Sequence, residues 1–169
     1  MNQNLYSFDI FDTCLVRTCG KRQNLTWALA YKVLGSDADF PNIRDFVRKR
    51  QQAERDSYWD GDEAPTIEQI YQRLDVSYYT SLTNEQILAM EIELESESLV
   101  PVADMVKKVE ECRQKGRVVF ISDMYFSGTF LRPILEKYHL IKAGESLYVS
   151  CDYQASKATG NLFEFVKKA

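Results

Sequence analysis

The chain has 169 residues, 45% hydrophobic and 27% charged, the proportions of an ordinary globular domain rather than a disordered, collagenous or coiled-coil chain. Lys and Arg number 21 against 25 Asp and Glu, a net charge of -4, which argues against a nucleic-acid partner, since such partners are usually met by a basic face. The longest apolar runs, such as Val118 to Ile121, fall far short of the ~20 residues that cross a bilayer, so no membrane partner is expected. Met1 to Tyr6 is polar and shows no secretory leader; the expected location is cytoplasmic, with reduced thiols. Cys14, Cys19, Cys112 and Cys151 form no close pair, and His139 is the sole imidazole, so zinc is not expected.

In chain order, Leu5 to Ile10 reads as a short strand with Asp9 near its C-terminal end, and Asp12 and Thr13 follow. From about Leu25 to Leu99 the pattern is mostly helical. Leu25 to Leu34 is closed by Gly35, and Pro41 marks the start of a second helix. Trp59 to Asp62 is a turn. Thr66 with Gln69, and Thr83 with Gln86, have capping-box spacing. Ile87, Met90 and Leu94 mark one apolar helix face. Ala103 to Lys115 is amphipathic, with Gly116 as its expected cap. Val118 to Ile121 is a continuous apolar run of the buried parallel-strand type, ended by Ser122 and Asp123. Phe126 to Tyr138 reads as a helix limited or kinked by Pro133, Leu147 to Cys151 as a third strand, and Thr159 as the cap of a last helix. This order predicts an α/β domain of parallel strands joined by crossovers. Asp9, Ser122 and the segment after Cys151 should meet at the C-terminal edge of the sheet, where open α/β sheets bind ligands.

Phe8-Asp9-Ile10-Phe11-Asp12-Thr13 resembles the first motif of the haloacid dehalogenase (HAD) superfamily of hydrolases, an Asp at a strand end with a Thr four residues on. Val118-Val119-Phe120-Ile121-Ser122 resembles its second motif, an apolar strand ending in Ser or Thr, and Lys157 fits its third, a Lys near a helix start. The resemblance implies a HAD-like Rossmannoid parallel sheet, incomplete at about three strands, with a helical cap insertion. The core would be residues 1–18 and 100–169, the cap 19–99. It implies that Asp9 attacks a phosphoryl phosphorus to form an aspartyl intermediate. Mg²⁺ would be held by Asp9 and the carbonyl of Phe11. Ser122, with Thr13 and Asp123 beside it, would contact the phosphate. Lys157 would offset charge on both nucleophile and phosphate. The expected substrate is a small phosphorylated metabolite. Plainer roles stand beside these. Asp12 caps the turn or joins the catalytic group, and Asp123 adjoins the site or starts a helix. His139 ends a helix, Trp59, Tyr78 and Tyr79 fill the cap core, and Met90 and Met105 are ordinary core.

Two features depart from the family pattern. Phosphatases of the superfamily usually carry a second Asp two residues after the nucleophile, for proton transfer. Here that place holds Phe11, and general acid–base help is worth ~10²–10⁴ in rate. Asp12 or another group compensates, or the leaving group needs little help, or the chemistry differs. The alternatives are a metal-free dehalogenase-type hydrolase and a phosphate-binding regulatory domain without turnover. The second departure is the fourth motif, an acidic pair after a further strand, which does not follow Lys157. The first strand should then carry a free edge, an unfavourable arrangement unless covered. The expectation is a C-terminal remainder of a longer polypeptide, or a partner chain, over that edge, with the 169 residues inactive alone.

Overall fold

The computed structural model describes residues 4–59 and 63–168. In chain order the elements are β1 (Asn4–Phe8), β2 (Leu15–Arg17), α1 (Arg22–Leu34), α2 (Phe40–Trp59), α3 (Ile67–Gln72), α4 (Asn84–Ser98), β3 (Leu99–Pro101), α5 (Ala103–Arg113), β4 (Gly116–Ser122), α6 (Gly128–Lys137), β5 (Ser146–Val149), α7 (Ser150–Tyr153) and α8 (Asn161–Lys168). They form two compact units. One runs up to Val16 and resumes at Val100; the other is Arg17–Leu99. Where the chain passes between them, β2 and β3 pair as a two-stranded ribbon.

The first unit is built on a parallel sheet in the order β1-β4-β5. Phe8 lies opposite Phe120, and Ser122 opposite Val149. Every residue of β4 but Arg117 is buried, which explains its unbroken apolar run: a central parallel strand is covered on both faces. Val119 and Ile121 pack with Tyr148, Ala155, Leu162 and Val166, so α8 contributes two of its residues to that core. Among the described residues β1 pairs with β4 alone, and its pattern is half exposed, with Leu5 at 49%.

Several boundaries differ from expectation for local reasons. β1 stops at Phe8 rather than Ile10, because the chain curls back: the Ile10 carbonyl accepts from both Cys14 and Leu15 N–H at 2.8 Å. β4 extends from Gly116 through Ser122. Gly116 is therefore a strand residue and not a helix cap. Gln114 caps α5, and a Cβ on Gly116 would lie 2.2 Å from the Asn4 carbonyl oxygen. β5 ends at Val149, with Cys151 in α7, because the Ser150 hydroxyl is engaged with Met124. The helix expected from Phe126 begins at Gly128 and runs through Pro133. His139 lies just past it at φ 57.

In the second unit α1 packs on α2 and α4, and α3 on α2 and α4. α1 ends where Gly35, at φ 88, turns its N–H onto the Tyr31 carbonyl, and both capping boxes form. The buried face of α4 is Ile87, Glu91, Glu95 and Ser98, not Ile87, Met90 and Leu94. Two glutamates can face inward because buried arginines meet them. Arg50 binds Glu91 through two nitrogens at 2.6 and 2.8 Å, and the Tyr71 hydroxyl donates to Glu91 at 2.5 Å. Arg17 pairs with Glu95 at 2.6 Å. Tyr78 is 85% exposed and so is not core. Tyr79 is half-buried and donates to Asp45. Trp59 closes α2 rather than opening a turn; its side chain and the rest of that expected turn, residues 60–62, lie outside the described residues. Met90 and Met105 are half-buried. Among the described residues no helix is long and apolar enough to cross a membrane.

Candidate active site

Asp9 is the first residue past β1, and Lys157 opens the turn between α7 and α8. Their side chains meet: Lys157 Nζ lies 2.7 Å from Asp9 Oδ1, across 148 residues of sequence. Both are partly open to solvent, at 28% for Lys157 and 40% for Asp9. The Thr13 hydroxyl donates to the other oxygen, Oδ2, at 3.4 Å, a long contact for a hydroxyl donor. Oδ1 is thus firmly engaged and Oδ2 loosely.

The segment from Ile10 to Leu15 shapes this corner. Asp12 adopts a left-handed φ of 57, a conformation that Asp tolerates better than most residues. Its N–H donates to the Leu15 carbonyl at 2.8 Å, and Phe11 bridges to Leu15. Asp12 is exposed; its part in the turn is played by backbone, and among the described residues no side-chain hydrogen bond joins it to the Asp9 pair. Cys14 is fully buried beneath the segment, and burial, then the charge of Asp9, pushes its thiol up to about 12.

Ser122 ends β4 and is 1% exposed. Since Phe8 and Phe120 are in register, Asp9 and Ser122 leave adjacent strands at the same C-terminal edge. Asp123 follows at the surface, well before α6, so it starts no helix. Both of its carboxylate oxygens accept from the Lys157 backbone N–H, at 2.9 and 3.1 Å. Two further ties join the same pair of segments. The Ser150 hydroxyl accepts from Met124 N–H at 2.9 Å and donates to its carbonyl at 3.2 Å. Asp152 accepts from Gly128 N–H at 2.7 Å.

Asp9, Thr13, Lys157 and Asp123 therefore form one connected group, Ser122 adjoins it through the chain, and Asp12 stands outside it. Ser150 and Asp152 were not singled out in the sequence. Their contacts are to backbone groups, which impose no residue spacing that could have drawn attention to them. Among the described residues no three His, Cys, Asp or Glu side chains gather as a metal cage.

No family model matches the chain, and no curated protein matches it. Solved structures do. One is the crystal structure, in an orthorhombic form bound to magnesium, of YfnB from Bacillus subtilis, a protein described as a candidate HAD-hydrolase that shows interdomain movement. The match has a TM-score of 0.62 at 16% identity and covers 98% of this chain and 73% of that one. The fold is HAD-like. At that identity the likeness speaks for architecture; fold and function are separable, and the chemistry rests on the residues around Asp9.

Proposed function

We propose that the chain carries a HAD-type hydrolase site that cleaves small phosphate esters through a phosphoryl group carried on Asp9. The observation behind this reading is the 2.7 Å pair of Lys157 and Asp9 at the C-terminal edge of parallel strands. A carboxylate facing a phosphate is repelled, and an ammonium held between them offsets that repulsion. Because Lys157 engages Oδ1, Oδ2 is the freer oxygen for attack on phosphorus. The P–O bond to the ester oxygen breaks as the Asp9–phosphorus bond forms. Water then cleaves the acyl phosphate, releasing inorganic phosphate and restoring the carboxylate. Ser122 would donate to a phosphoryl oxygen. The helical unit would select the substrate.

Mg²⁺ suits the donors at hand: Asp9 and the Phe11 carbonyl are hard oxygens, and this ion commonly takes one or two carboxylates together with waters and substrate oxygens. Bound there, it would screen the charge between carboxylate and phosphate. The edge of β1 that no other described strand covers is where a further strand, from a longer polypeptide or a partner chain, would pair.

Phe11 transfers no proton, so esters whose leaving groups need none should turn over best. The natural gene product should hydrolyse p-nitrophenyl phosphate with Mg²⁺ much faster than an alkyl phosphate, and D9N should reduce both to background with an unchanged circular dichroism melt. Undiminished turnover in D9N would sink the assignment. Phe11 also favours a second reading, phosphate binding without turnover. Phosphate-dependent stabilisation of a chain that hydrolyses no ester would support that instead. Halide release from a 2-haloacid without Mg²⁺ would point to dehalogenase chemistry.

A further inference from the structure

Lys157 is not carried by a helix. It opens a turn closed by Gly160 N–H on the Lys157 carbonyl at 3.1 Å, with Gly160 at φ 84. A lysine is a point charge on a flexible four-carbon stem, so where its ammonium falls depends on where the turn is anchored. Asp123 supplies an anchor. It immediately follows the last residue of the central strand, and both its oxygens close on the Lys157 N–H at 2.9 and 3.1 Å. The two carboxylates divide the lysine: Asp9 takes its ammonium at 2.7 Å, and Asp123 takes its backbone. Ser150 on Met124, and Asp152 on Gly128, tie the same two segments at other points. The Lys157 turn is thereby fixed to the strand that ends in Ser122.

We propose that Asp123 is a positioning residue: it sets the Lys157 backbone so that the ammonium reaches Asp9, and it neither carries a proton nor binds metal in the reaction. This differs from the phosphate contact its place in the sequence leads one to expect, and it rests on the reading of Asp9 and Lys157 as the reactive pair. Asn keeps one carbonyl oxygen for the N–H, whereas Ala keeps none. Misplacing a catalytic group by about 1 Å can cost about 10²-fold.

The test compares D123A and D123N in the full natural protein. D123A should lower kcat by about 10²-fold with a smaller change in KM, and D123N should recover most of the rate. The pH profile should keep its shape in both. If D123N is as damaged as D123A and one arm of the pH profile is lost, Asp123 carries a proton and the proposal fails. If added Mg²⁺ restores D123N, it is a metal ligand and the proposal fails again. A second readout does not need turnover. Hydrogen exchange at the Lys157 amide should quicken in D123A and stay slow in D123N, and a crystal structure of D123A should show the 2.7 Å contact of Nζ with Oδ1 lengthened. Unchanged exchange and an unchanged contact in D123A overturn the proposal. If the wild-type protein hydrolyses nothing, the hydrolase reading falls, and the exchange measurement still decides the role of Asp123. Should D123A not fold, D123S, too short to span the contact yet polar at the surface, takes its place.

Discussion

Cys14, five residues beyond Asp9, has no exposed surface, and burial followed by the charge of Asp9 raises its thiol from 9.0 to about 12. The unfolded thiol releases its proton near 9.0, while the folded one keeps it to about 12. Between those values the unfolded state binds fewer protons, so stability falls as pH rises. Tyr71 acts in the same sense, since burial and then the charge of Glu91 raise its phenol. The unfolding free energy read from urea melts should therefore fall as pH rises above about 9, by up to about 1.4 kcal/mol per pH unit for each group, and C14A should flatten that slope. A free energy independent of pH in this range would contradict the burial of both groups. At this scale the sequence is legible where chemistry restricts the residue type. The resemblance to the first and third motifs of the HAD superfamily made Asp9 and Lys157 candidates, and the two are in contact. It is opaque where a side chain serves a backbone group: Asp123 accepts from an N–H, and every residue type but proline carries one.

At the scale of elements, Gly116 and α4 carry the instructive differences. A glycine after an amphipathic stretch reads as a helix stop, but Gly116 is a strand residue opposite Asn4, where a Cβ would lie 2.2 Å from the Asn4 carbonyl oxygen. The two uses of glycine look alike in sequence, because both follow from the missing side chain. G116A should force β1 away from β4 and cost about 1–3 kcal/mol in urea unfolding, whereas R117A, at the exposed neighbour, should stay within about 0.5 kcal/mol. In α4 the apolar periodicity pointed to Met90 and Leu94, but Glu91 and Glu95 lie inside. Hydropathy counts a glutamate as surface whether or not an arginine awaits it. E91A leaves Arg50, only 2% exposed, without its bidentate partner and should cost about 3–5 kcal/mol, while R50M/E91L, which removes both charges but takes the acceptor from the Tyr71 hydroxyl, should cost about 1–3 kcal/mol. Equal losses in the single and double variants would show that packing, not the charge, is what matters there.

Across the whole molecule, the order of elements gave away the α/β class, because a parallel sheet needs crossovers and the apolar runs mark its strands. β2 and β3 escaped notice, since three residues each are too few to show a period. The same connectivity bears on how the chain comes into being. Asn4 pairs with Gly116, so β1 must wait for its neighbour while about 110 residues are made, roughly 6–20 s at the usual pace of synthesis. Arg17–Leu99, compact in its own right, is complete within that interval. Its collapse would shorten the span still to be closed, and the entropic cost of closure grows with the logarithm of that span. Translation thus favours an order: the helices of Arg17–Leu99 first, the sheet next, and then the meeting of Asp9 with Lys157, which follows β5 in the chain. On the proposed reading of the site, a nascent chain would turn nothing over until Lys157 had reached Asp9.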